Sequence, residues 1–62
     1  MNTKRIKSTA VQKGDLLMRG YRGAMRVSAI EVRGGFVHYY DSKGTHYCHK
    51  TTGHATIVNQ NN

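Results

Sequence analysis

Four imidazoles and one thiol, His38, His46, Cys48, His49 and His54, fall within seventeen residues of a 62-residue chain. These are the side chains that zinc selects, and a thiol beside an imidazole is also the pair used in nucleophilic catalysis. The spacing argues for neither. No Cys-x-x-Cys and no His-x-x-x-His pair is present, and fixed intervals of that kind are how zinc sites are recognised in a sequence. A Cys–His nucleophile needs an orienting carboxylate and an oxyanion site, and Asp15, Glu31 and Asp41 are the only acids in the chain. A domain this short also leaves little room for a substrate cleft. The expectation is therefore no enzyme activity, no metal and no cofactor.

A second constellation mixes cations with rings: Arg19, Tyr21, Arg22, Arg26, Arg33, Phe36, Tyr40, Lys43 and Lys50. Guanidinium and ammonium groups neutralise phosphates while aromatic faces stack on bases. Arginine adds bidentate phosphate contact and stacking of its own. Ten Lys and Arg against three acids give a formal net charge of +7, a field that attracts polyanions. The expected function is nucleic-acid binding, to DNA or RNA, dominated by the backbone and weakly sequence-specific. Arg19, Tyr21, Arg22, Arg26, Arg33, Phe36, Tyr40 and Lys43 are its candidate contacts. The alternative is a protein-binding inhibitor or adaptor that covers an acidic surface of a larger protein, and exposed rings also suit a homodimer contact.

Composition bounds the rest. No stretch reaches the apolar length of a membrane span, and the first residues lack the apolar core of a signal peptide. The single Cys48 rules out an internal disulfide, which suits a reducing compartment or simply indifference to redox state. A soluble cytoplasmic protein without a membrane partner is expected.

The elements that must position these residues centre on Phe36 to Tyr40, a strand between two turn signals. Gly34-Gly35 suits a two-residue hairpin, and Asp41 to Gly44 reads as a type I turn with glycine in the left-handed position. A three-stranded meander follows. Pairing across Gly34-Gly35 sets Val32 against Val37 and Ile30 against Tyr39 on a core face, with Glu31 against His38 and Arg33 against Phe36 outside. Phe36, His38 and Tyr40 then face outward. The next strand, Thr45 to Lys50, has two registers. A bulge at Gly44 pairs Asp41 with Thr45, turns Tyr47 inward and puts Cys48 outside opposite His38; a two-residue loop swaps the faces. The first is preferred because it buries Tyr47.

Residues 1–10 read as a flexible basic arm or a frayed edge strand, with Lys4, Arg5 and Lys7. A turn at Lys13-Gly14-Asp15 leads to an apolar strand at Leu16 to Met18, then to a glycine-flanked loop carrying Tyr21 and Arg22. From Ala24 to Arg33 the apolar parity switches midway, which calls for a bulge or bend near Ser28 to Ile30. A last short strand at His54 to Val58 precedes a polar tail, 59–62, expected to be disordered. The expected fold is all-β: a small five-stranded barrel over residues 11–58.

Val11-Gln-Lys-Gly14-Asp15-Leu16-Leu17-Met18, then Gly20 and Gly23, then Val27 to Ile30, resembles the opening of an SH3-like barrel of the KOW or Tudor type. Val37 to Gly44 is similar to the strand and turn that follow there. Ala24-Met25 stands where the KOW-type pattern favours glycine, and no complete Tudor aromatic cage can be assigned. The resemblance implies a module that binds nucleic acid or another protein through its loops or sheet face; it does not imply catalysis.

Overall fold

The computed structural model describes residues 2–58, in which alternating apolar positions produce strands. In chain order these are β1 (Thr3–Lys7), β2 (Leu16–Met18), β3 (Ala24–Arg26), β4 (Ala29–Arg33), β5 (Phe36–Tyr40), β6 (His46–Lys50) and β7 (His54–Val58). Single 3₁₀ turns stand at Ser8–Ala10 and Gly20–Arg22. One antiparallel sheet has the order β1-β7-β2-β3 and the other the order β4-β5-β6. The protein is all-β, and among the described residues no helix is long and apolar enough to cross a membrane.

The expected five-stranded barrel is corrected on two counts: among the described residues seven strands form, and they divide between two sheets, neither of them closed into a barrel. The first cause is the bend. The segment from Ala24 to Arg33 breaks at Val27-Ser28, at the start of the stretch expected to bend, so that β3 lies in one sheet and β4 in the other. Backbone bonds hold the corner, Val27 N to Asp15 O at 2.9 Å and Ser28 N to Tyr40 O at 2.8 Å.

The second cause is the N-terminal segment, which is a paired edge strand and not a flexible arm. Thr3 to Lys7 run antiparallel to Val58 to His54, and Ile6 packs on the core. Beyond it Ser8 is fully buried. Its amide donates to Gly53 O at 3.1 Å, its hydroxyl to Lys50 O at 2.6 Å, and its carbonyl accepts from Tyr39 Oη at 2.7 Å. Every polar group of this residue is therefore satisfied, as burial demands. Lys4, Arg5 and Lys7 lie exposed along the open edge, where charge discourages further strand pairing. The expected tail at 59–62 lies outside the described residues.

Period-two alternation aims Leu17, Met25, Ala55 and Ile57 of the first sheet at Val37 and Tyr39 of the second, with Val11 and Val27 closing the core. Leu17 is its centre, paired with Met25 on one side and Ile57 on the other. Val32 departs from the expected core face. It sits on the edge strand β4 beside the Gly34-Gly35 turn and is 61% exposed, while its inner partner Val37 is covered.

Both hairpins of the second sheet form as their turn residues dictate. Gly34 and Gly35 have φ of 61° and 81°, the pair of positive values that a type I′ turn requires and that β-carbons resist. At the other end Gly44 (φ 87°) follows the turn, its amide donating to Asp41 O, and Asp41 N bonds to Thr45 O at 3.1 Å. This is the bulged register. Tyr39 faces Tyr47, His38 faces Cys48, and the two-residue alternative is excluded.

Asp41 Oδ1 accepts the Thr45 amide at 2.8 Å and the Lys43 amide at 2.9 Å. The Thr45 N–H is the main reason its carboxyl titrates below the ordinary 3.8, partial desolvation opposing and the Lys43 N–H assisting. A depressed folded-state pKa means that this stabilisation is complete above the unfolded value and is lost as pH falls through the folded one. Asp41→Ala should therefore speed amide exchange at Thr45 at neutral pH. The gap from the wild type should close as the solution is acidified below 3.8; equal exchange in both proteins at pH 7 would contradict it.

Candidate functional site

With the bulged register, the outer face of β4-β5-β6 becomes a grid. Its three rows across the strands are Arg33–Phe36–Lys50, Glu31–His38–Cys48 and Ala29–Tyr40–His46. Phe36 is thus flanked by a cation on either side. The rings are in contact: Tyr40 and His46 stack at 5.1 Å, His46 and His38 at 5.0 Å with planes 16° apart, and Phe36 tilts against His38 at 6.4 Å. His38 Nδ1 and His46 Nε2 share a hydrogen bond of 2.8 Å, one nitrogen donating and the other accepting. Lys43 stands on the adjoining turn. Phe36 is 40% exposed, an apolar surface that the fold does not use.

Of the eight expected contacts, Arg33, Phe36, Tyr40 and Lys43 belong to this sheet and its turn, while Arg19, Tyr21, Arg22 and Arg26 belong to the β2–β3 loop and β3. The structure thus distributes them over two regions, one in each sheet. Tyr21 projects wholly into solvent, at 103% relative exposure. Arg19 braces its own loop, donating from Nη2 to Arg22 O at 3.3 Å, and its Nε is buried with no partner. Arg26 Nη1 donates to Gly14 O at 2.7 Å, and Arg33 Nη1 to Glu31 Oε1 at 2.8 Å in an exposed ion pair. Each of these guanidinium groups fixes local structure.

His38, His46 and Lys50 were missing from the expected contacts. The signal for His46 and Lys50 was the alternation of β6 once its register is fixed, since His46, Cys48 and Lys50 occupy its outward positions, while His38 was already placed outward by the alternation of β5. The three carboxylates are engaged: Asp15 Oδ2 accepts the Gln12 amide at 2.8 Å, Glu31 pairs with Arg33, and Asp41 holds its turn. Glu31 faces His38 across the ladder, but its carboxylate pairs with the Arg33 guanidinium.

A separate groove of about 350 Å³ runs along the inner side of β6, lined by Tyr47, His49, Met18, Thr3, His54 and Thr56. His49 meets Tyr47 and Tyr39 edge-on at 5.1 and 5.9 Å. Burial pushes its pKa down, and its Nε2 is buried without a hydrogen-bond partner.

No protein-family model matches the chain, and no match is found among curated proteins or solved structures. Fold and site therefore define a class, an all-β two-sheet protein with one ring-bearing basic face, and no family.

Proposed function

We propose that the chain is a small nucleic-acid-binding module that takes single-stranded DNA or RNA on the outer face of β4-β5-β6. The observation that carries this reading is the row Arg33–Phe36–Lys50, a solvent-facing ring between two cations that continues into the Tyr40–His46–His38 stack. A base can lie on Phe36 while adjacent phosphates meet the flanking cations, and stacking of this kind tolerates any base. Lys43 adds a cation from the adjoining turn, while Tyr21 and Arg22 stand on the separate β2–β3 loop. The engaged carboxylates and the shallow, open face suit binding better than catalysis.

The connectivity also supports reading the fold as an opened SH3-like arrangement. β2 pairs with both β3 and β7, a bent strand passes between sheets as β3 and β4, and β4-β5-β6 form the meander. β1 is then an added edge strand.

Fluorescence anisotropy with labelled single- and double-stranded DNA and RNA tests the function. Binding should favour single strands. With on the order of three phosphates neutralised, log K should fall with log salt at a slope of about −2. A flat titration at low salt would overturn the reading, and a protein partner retained from nuclease-treated lysate would favour the adaptor alternative.

A further inference from the structure

The geometry points to a zinc site on the same sheet face, formed by His38 Nδ1, His46 Nε2 and Cys48 Sγ with a fourth position open to solvent. Sequence spacing spoke against a metal because the three residues fit no short interval. The fold supplies what the spacing lacks. The bulged turn places His46 beside Tyr40 and Cys48 directly opposite His38 on adjacent strands, and the three ligand atoms lie within 4.8 Å of one another.

Zinc bonds of ~2.0–2.1 Å to nitrogen and ~2.3 Å to sulfur put tetrahedral ligand atoms about 3.3 Å (N to N) and about 3.6 Å (N to S) apart. The two histidine nitrogens stand at 2.8 Å, so they must separate by about 0.5 Å, a small side-chain rotation. The metal replaces their mutual hydrogen bond with two coordinate bonds. Cys48 is exposed, and on binding it gives up its proton to solvent to coordinate as thiolate. The stacking of Tyr40 on His46 and the contact of Phe36 with His38 restrict both imidazoles beforehand, which reduces the entropy lost on ligation.

Neutral imidazoles and a thiolate select zinc-like ions over calcium and magnesium, which take oxygen ligands. Three protein ligands with an open position are the arrangement of zinc sites that keep an exchangeable water. His49 is on the opposite face of β6, and His54 is on β7 in the other sheet. Neither belongs to the set. The inference stands apart from the nucleic-acid reading, because it needs only these three side chains.

Titration of the full chain with Co(II), followed by displacement with Zn(II), tests it. The expected result is one equivalent of Co(II) with a thiolate-to-cobalt charge-transfer band and the strong visible bands of tetrahedral cobalt, both lost when Zn(II) is added. Cys48→Ser should abolish the charge-transfer band, and Cys48→Ser and His46→Gln should each weaken binding at least about tenfold, in line with loss of a direct ligand. His54→Gln should leave spectrum and affinity unchanged. Far-ultraviolet circular dichroism checks that each variant remains folded; these side chains are exposed, so the fold should persist. Weak octahedral bands without a sulfur band, or a spectrum that survives Cys48→Ser, would overturn the site.

Discussion

Tyr39→Ala is expected to remove a large part of the chain's stability, and Tyr39→Phe to leave it folded with a clearly lower melting temperature. Tyr39 is fully buried between the sheets, and its hydroxyl donates to the carbonyl of Ser8 at 2.7 Å. Removing the ring from such a site costs ~3–5 kcal/mol, while a domain of 62 residues has a total stability of only ~3–9 kcal/mol at typical values per residue. Phenylalanine keeps the packing but strands the buried Ser8 carbonyl, at about 1–2 kcal/mol. Each lost kcal/mol lowers the midpoint by roughly 4–8 °C in a domain of this size.

The same hydroxyl makes a prediction at high pH. Burial first, and the nearby Cys48 thiolate second, push the Tyr39 pKa from 10.0 up to about 12. A folded-state pKa raised above the unfolded one contributes stability that is complete below pH 10 and is lost as pH rises through about 12. Urea unfolding of wild type and Tyr39→Phe across that window should therefore show the wild type losing stability more steeply. Parallel curves would show that Tyr39 does not titrate as a buried phenol.

The second sheet was readable because its turns carry strong local chemistry. Glycine at both centres of the Gly34-Gly35 turn admits few hairpins, and Gly44 after Asp41 favours the bulge, so the partners of Val37, His38 and Tyr39 follow by counting. The first sheet was harder. β2 and β3 are three residues each, too short to show a period, and the pairing of Leu17 with Ile57 spans most of the chain. Ser8 gave no sign that it is buried: a serine among charges reads as surface, and only the tertiary contacts from Tyr39, Lys50 and Gly53 reveal the latch. Val32 failed in the opposite sense, since parity assigns a face but cannot say how far the opposing sheet extends. For the site, the outward rings were legible from alternation. The approach of His38, His46 and Cys48 was legible only as one of two registers, and the spacing rules used for metals are blind to ligands brought together across a ladder.

Phe36→Ala should weaken single-strand binding by about 5- to 150-fold, the ~1–3 kcal/mol that one base–aromatic stack contributes. Folding should be little affected, because Phe36 is already 40% exposed. A sharper test changes charge without touching a ring. Glu31 is the acid on the platform, paired to Arg33 at 2.8 Å, and an exposed pair of this kind contributes little to stability. Glu31→Gln releases the guanidinium for phosphate, so affinity at low salt should rise several-fold and the salt slope should steepen by up to about 0.7, the increment for one more phosphate on a single strand. Asp15→Asn makes the same change in net charge elsewhere, in the turn that precedes β2, and asparagine retains an oxygen for the Gln12 amide. If the sheet face is the contact surface, anisotropy will separate the two variants, with Glu31→Gln the tighter. If only the overall positive field matters, the two will bind alike, and the platform reading fails while the basic character of the chain still explains the affinity.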